Sequence, residues 1–238
     1  MIRFACKDLD AWLKHPNRKP MVLRGARQVG KTWLVRNLAD RNNLQLVELN
    51  FERSPELIDL FSDNNPEEIL RNIEAALSIA IDRKSCLLFL DEVQATPRIF
   101  VKLRWFREEI PELPLIAAGS LLEFALKTLS YSMPVGRITF FYLEQISFLE
   151  FVLATGNDAL LNKLKAYSIQ SLLPDALHEK CLQLYRDYCI VGGMPEEFDD
   201  TSIAMPSEIR MVAGTVQRAK IRLFQSALRK AGSSSSQR

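Results

Sequence analysis

The chain has 238 residues, of which 47% are hydrophobic and 25% charged, and a net charge of +2. That make-up excludes a disordered polyelectrolyte and fits one large globular domain, or one domain plus a small helical one. No apolar run approaches the length of a membrane span, and residues 1–8 lack a signal-peptide pattern. Only His15 and His178 are present, and the four cysteines (positions 6, 86, 181 and 189) have no metal-ligand spacing. A histidine-based metal or nucleophile site is therefore not expected, and free thiols in a reducing cytoplasm are.

Residues 3–14 carry Leu9 and Leu13 four apart beside Trp12, a short helix that Pro16 and Pro20 end. Met21, Val22 and Leu23 form an apolar run. Gly-Ala-Arg-Gln-Val-Gly-Lys-Thr follows at residues 25–32 and matches G-x-x-x-x-G-K-[ST] in full. Residues 33–39 are amphipathic, so the motif sits between a strand and a helix.

The chemistry of that loop follows from its residue types. A polyphosphate is a chain of anionic oxygens that needs many donors and little bulk. Gly25 and Gly30 let the backbone curl so that the N–H groups of Ala26, Arg27, Gln28 and Val29 turn inward. The helix starting near Lys31 adds its free N–H groups and positive dipole end. Lys31 is expected against the β and γ phosphates, and the Thr32 hydroxyl on Mg²⁺. Arg24 and Arg27 flank the loop as phosphate contacts or as solvated loop arginines.

Residues 44–51 alternate, with Leu46, Val47 and Leu49 apolar and Glu48, Asn50 and Glu52 polar, which predicts the second strand. Pro55 and Pro66 each open a helical period, over 55–61 and 66–81. Residues 86–90 are wholly apolar, as in a strand buried on both faces of a parallel sheet, and end in Asp91-Glu92. With the loop sixty residues upstream, Asp91 is expected to bind Mg²⁺ through water and Glu92 to polarise the attacking water. Without the loop, the two acids would read as a cap on the next turn.

Pro97 opens a helix to about 110, and residues 113–118 form a further strand ending in Gly119-Ser120. Its C-terminal end is expected beside the loop strand, where Ser120 can sense the γ-phosphate. Ser120 with Glu123 also fits a capping box, and both roles can coexist. Residues 137–143 are rich in β-formers. Beyond them the chain reads helical, over 147–154, 158–167, 174–189 and 207–230, and residues 233–236 are a serine tract.

Strands alternating with helices predict an α/β fold: with the loop motif, a P-loop NTPase parallel sheet flanked by helices, with ligand at the strand C-terminal ends. A mostly helical C-terminal region follows. The expected division is 1–146 for the P-loop ATPase domain, 147–232 for a helical lid or the start of a C-terminal domain, and 233–238 for a disordered tail. From Thr201 onward seven basic residues face one acid, leaving 24 basic and 28 acidic residues in the remainder. The basic stretch suits nucleic acid or an acidic partner, or a solvated helix face.

Several of these segments together resemble a known group. The loop, the run Leu88-Phe89-Leu90-Asp91-Glu92-Val93-Gln94 and the Gly119-Ser120-Leu121-Leu122 turn are similar to bacterial and archaeal AAA-type predicted ATPases that carry a C-terminal domain of unknown function. Val135-Gly136-Arg137-Ile138, Ser147-Phe148-Leu149-Glu150-Phe151 and Gly192-Gly193-Met194-Pro195 extend the resemblance over roughly residues 5–200.

The resemblance implies an AAA-like sheet, ATP binding, hydrolysis, nucleotide contacts over Gly25–Thr32, Asp91 as the metal acid and Glu92 as the water-activating acid. It draws attention to Arg137, as a contact to the γ-phosphate or a neighbouring subunit, or as a surface salt bridge. Two departures stand out. Gln145 replaces a usual proline, and the sequence after about Pro206 leaves the pattern, as a truncation or frameshift would make it.

No guanine-reading Asn-Lys-x-Asp run is present, which points to ATP with Mg²⁺ as the cofactors. Two functions follow: an ATPase that drives a conformational change in an unknown protein partner, or a nucleotide-dependent interaction switch with little hydrolysis of its own. Homo-oligomers fit either. DNA binding has no base-reading motif behind it, and no membrane partner is expected.

Overall fold

A computed structural model describes residues 2–120, 136–168, 170 and 172–194. The chain divides into two compact units, one of Arg3–Gln145 and one of Met1–Ile2 with Ile146–Arg238.

The first unit begins with α1 (Ala5–Lys14), then β1 (Met21–Arg24), α2 (Lys31–Arg41) and β2 (Gln45–Asn50). A 3-10 turn at Pro55–Phe61 leads to α3 (Pro66–Leu77), β3 (Cys86–Asp91), a short 3-10 turn at Val93–Ala95, α4 (Ile99–Glu109), β4 (Leu115–Ala118) and β5 (Thr139–Tyr142). The five strands form one parallel sheet in the order β2-β3-β4-β1-β5. This is the expected α/β architecture, and β4 lies beside β1 as anticipated.

Burial explains the strands. Every residue of β3 and β4 is buried, as a parallel sheet covered on both faces requires. One face packs α3 and α4 through Ile69, Ile73, Leu103 and Phe106 onto Val22, Leu88 and Leu90. The other packs α1 and α2 through Leu9, Leu34 and Leu38 onto Met21, Leu23 and Phe89. Alternate residues along β1 and β3 thus serve opposite faces.

Differences from the sequence expectations have local causes. Residues 55–61 form a 3-10 turn, not an α-helix, because Leu57–Leu60 and Ile58–Phe61 repeat every three residues. The helix from Pro66 stops at Leu77 and not near 81, because Ser78 turns left-handed (φ 54°) and caps it. Its start is fixed by Pro66 and by Asn65, whose side chain accepts from the Glu67 N–H at 2.9 Å. The last strand shrinks from seven residues to Thr139–Tyr142, the span that pairs with β1.

The second unit contains α5 (Phe148–Ala154), α6 (Asp158–Lys165) and α7 (Asp175–Val191). Ser147 and Glu150 make a full capping box at the start of α5. The Tyr188 hydroxyl donates to the Ile146 carbonyl at 2.7 Å, and the ring of Phe148 meets Tyr185 edge-on at 5.3 Å. The expected helix at 207–230, the basic C-terminal stretch and the tail at 233–238 lie outside the described residues. Among the described residues no helix is long and apolar enough to cross a membrane. All four cysteines are free, and burial pushes the Cys86 thiol up to about 11.

Candidate functional site

Strand order decides where a ligand can sit. From β1 the chain passes to β2 at the far edge, then steps back through β3 and β4 and beyond β1 to β5. The connections that leave the neighbours β1 and β4 run to opposite sides of the sheet, which opens a crevice at their C-terminal ends. Register brings Arg24, Asp91, Asn50 and Ala118 to that same end: Asn50 pairs with Asp91, Leu90 with Ala117, and Leu23 with Ala118.

The loop from Gly25 to Thr32 fills the crevice mouth. Its turns use positive φ at Gly25 (147°), Gln28 (64°) and Gly30 (89°). A side chain at Gly25 would place its Cβ 2.3 Å from the Leu143 carbonyl oxygen, a backbone atom that cannot step aside. Gly25→Ala therefore combines backbone strain of about 1–3 kcal/mol with overpacking of about 1–3 kcal/mol. It is expected to destabilise the chain by at least about 2 kcal/mol in urea unfolding; an unchanged midpoint would mean that the loop and Leu143 are not in contact.

Lys31 opens α2 and is buried. Its Nζ donates to the carbonyls of Gly25 (3.2 Å) and Ala26 (2.9 Å). Burial lowers its pKa, against the pull of Glu92 and Asp91 nearby. The ammonium thus sits inside the loop, poorly solvated, with its hydrogen bonds among the described residues going to two carbonyl dipoles. Ala26, Arg27 and Gln28 are exposed at the loop's tip, whereas Val29 is buried. Arg24 lies over the Phe140 ring at 3.9 Å, so it is engaged by an aromatic face.

Asp91 ends β3 and is 3% exposed. Thr32 Oγ1 donates to its Oδ2 at 3.2 Å, and Asn50 Nδ2 to the same oxygen at 3.4 Å. Burial raises the Asp91 pKa, helped by Glu92 and opposed by Thr32. The Thr32 hydroxyl and Asp91 carboxylate make an oxygen-only pair of the type Mg²⁺ takes beside phosphate. A buried, destabilised carboxylate is also one that a cation relieves, so these residues fit that metal.

The raised pKa has a signed consequence. The folded chain holds the Asp91 proton more tightly than the unfolded chain does. Its contribution is full below the ordinary carboxylate range and is lost as pH rises through the raised value. Asp91→Asn is expected to remove that part of the pH dependence and to raise the nucleotide-free urea midpoint at neutral pH. A lower midpoint would show that Asp91 is well solvated.

Glu92 follows in a left-handed backbone conformation (φ 54°, ψ 43°), unusual for a residue with a side chain. The Gln94 side-chain amide donates to Glu92 Oε2. Gln94 Oε1 is buried with no partner. Ser120 is half-buried just beyond β4, where the Gly119 N–H reaches the Leu23 carbonyl at 3.4 Å. It therefore stands on the same sheet edge as the loop; its capping partner Glu123 lies outside the described residues.

Arg137 is placed elsewhere. It precedes Thr139, which pairs with Met21 at the start of β1, whereas the loop follows Arg24 at the end. Arg137 stands two residues before Thr139, and Thr139 is itself about 10 Å from Tyr142 along the strand direction. Its Nε donates to Glu108 Oε1 at 2.9 Å, an exposed ion pair shared with Arg104. Of the roles open to Arg137, the surface salt bridge is the contact it makes in this structure.

Sequence reasoning did not assign Asn50, Gln94 or Arg3 to the site. Asn50 was visible as a polar residue closing an apolar strand, the position that faces a ligand edge. Gln94 stood inside a quoted motif with no role. Arg3 gives no signal in the sequence, because two of its partners are main-chain carbonyls 26 and 141 residues away.

A family model for the AAA domain matches residues 17–152, more than half of the chain. No curated protein matches it. Among solved structures it is similar to AMPPCP-bound DnaA from Aquifex aeolicus at 16% identity and a TM-score of 0.47, covering 87% of this chain and 62% of that one. Drosophila ORC bound to DNA is similar at 16% identity and a TM-score of 0.50, covering 90% and 65%. The Aeropyrum pernix ORC2 protein, in ADPNP–ADP complexes, gives 17%, 0.43, 67% and 52%. At such identities the likeness is one of fold, and the chain spans less than two thirds of the length of each. With the parallel sheet and the family match over residues 17–152, the chain belongs to the AAA domain family of P-loop ATPases.

Proposed function

We propose that this chain binds ATP with Mg²⁺ and hydrolyses it, coupling the nucleotide state to a conformational change that acts on a protein partner. The observation that carries the reading is the convergence of Lys31, Thr32, Asp91 and Glu92 on the mouth of the Gly25–Thr32 loop, with Thr32 and Asp91 already hydrogen-bonded.

Each residue has a separate task. Loop N–H groups and Lys31 hold and neutralise the phosphates, exchanging the Gly25 and Ala26 carbonyls for anionic oxygens. Thr32 and Asp91 would hold Mg²⁺, which neutralises charge developing on the phosphate oxygens. Glu92, at the edge of the buried Asp91, orients a water and accepts its proton. Ser120 stands on the same edge and senses the γ-phosphate.

A second reading is favoured by Glu92 being held by Gln94 and by Arg137 lying at the far end of the strands. In it the chain is a nucleotide-dependent switch whose hydrolysis waits for an arginine supplied by a partner, a second copy included. Arg137 can serve a neighbouring subunit in that way. DNA is a further candidate partner, through the basic stretch from Thr201 onward.

Calorimetry of ATP with and without Mg²⁺, followed by turnover assays, tests both. Mg²⁺-dependent binding with steady turnover supports the ATPase. Binding with almost no turnover, restored by a partner, supports the switch. No binding by the folded chain would overturn both.

A further inference from the structure

Arg3 is 5% exposed, a depth that arginines seldom reach without partners. Its Nη1 donates to the Val29 carbonyl at 2.8 Å and its Nη2 to the Glu144 carbonyl. Val29 is the fifth residue of the phosphate loop. Glu144 follows Leu143, the residue whose carbonyl closes on Gly25. The loop is therefore backed twice by one short stretch of main chain, at its start by close approach and near its end through a guanidinium.

The bond to Val29 has a directional effect. The Val29–Gly30 peptide is trans, so its C=O and N–H point to opposite sides. Fixing the Val29 oxygen on Arg3 turns the Gly30 N–H away from the guanidinium. Without that anchor the peptide preceding Gly30 is free to flip, because glycine accepts either sign of φ, and a flipped peptide offers an anion its carbonyl.

We propose that Arg3 is a positioning residue of the phosphate loop, locking the Val29–Gly30 peptide so that the Gly30 N–H faces the polyphosphate, and tying that peptide to the chain at Glu144. This rests on the ATP reading above. Two of the Arg3 hydrogen bonds go to the Val29 and Glu144 carbonyls, so its proposed part is to position the loop, and the anion is left to the N–H groups. Its planar fork suits two acceptors held in fixed directions, which a lysine's single point of charge does not.

The experiment is ATP–Mg²⁺ calorimetry on the full chain, on Arg3→Gln, Arg3→Lys and Lys31→Ala, with the Gly30 amide followed by ¹⁵N NMR in the same titrations. Arg3→Gln is expected to bind ATP about tenfold more weakly, with the large Gly30 amide shift on ATP addition lost and the other glycine amides outside the loop unmoved. Arg3→Lys is expected to recover part of both. A merely structural arginine would lower the thermal midpoint while leaving the Gly30 response of the folded fraction intact, and that result would overturn the proposal. Wild-type affinity in Arg3→Gln would overturn it as well. If Arg3→Gln does not fold, Arg3→Lys decides: an unaltered Gly30 response and affinity would count against the proposal, a weakened pair for it. Failure of the wild-type chain to bind ATP would instead overturn the nucleotide reading, and this proposal with it.

Discussion

Lys31→Ala is expected to abolish detectable ATP binding at micromolar nucleotide while leaving the chain folded. In the structure the Lys31 ammonium is buried, its hydrogen bonds among the described residues go to the Gly25 and Ala26 carbonyls, and its pKa is depressed by that burial. It is a charge in want of an anion. Removing one partner of a buried charge pair costs about 2–5 kcal/mol. At about 1.4 kcal/mol per factor of ten, affinity should fall roughly 30-fold to several thousandfold. The urea midpoint should change little, because the burial cost of the ammonium disappears together with its two hydrogen bonds. Calorimetry and urea unfolding on the same preparation separate the two effects. Wild-type affinity in the variant would remove Lys31 from the site.

Glu92→Gln is expected to do the reverse, keeping ATP binding and losing turnover. The amide matches the carboxylate in shape and cannot accept a proton, so the loss should be that of a general base, about 10²–10⁴ in kcat. Among the described residues the Glu92 carboxylate accepts its hydrogen bond from Gln94, and only its charge reaches Lys31, so affinity should stay within a few-fold. Single-turnover hydrolysis, with the protein in excess over ATP, reads the step without interference from product release. If the variant turns over like the wild type, Glu92 is not the base. If the wild type itself turns over only when a partner is added, the comparison is made in that partner's presence.

The fold was legible where short-range chemistry decides it. Residues 86–91 read as a buried parallel strand because nothing polar interrupts them until Asp91, and residues 25–32 stand out by matching G-x-x-x-x-G-K-[ST] in full between a strand and a helix. The strand order β2-β3-β4-β1-β5 was legible only in part, as β4 beside β1. The site was less legible where long-range contacts decide it. Arg137 looked as available to the nucleotide as any arginine in a familiar motif. Its position two residues before the first rung of β5, and its ion pair with Glu108 at the end of α4, depend on the register between strands more than a hundred residues apart. Arg3 and Asn50 are of the same kind: each becomes part of the site only when the sheet is assembled.

The left-handed backbone at Glu92 bears on how this lineage evolves. Glycine or asparagine fits that conformation with less strain than glutamate, so mutation alone drifts the position toward them and each such change stabilises the fold. On the proposed reading, the carboxylate that orients the attacking water is what offsets that strain. In descendants released from the need for that carboxylate the residue should be among the first to go, with the Lys31 cradle still intact, so that non-hydrolysing binders arise from this chain by relaxation and not by invention.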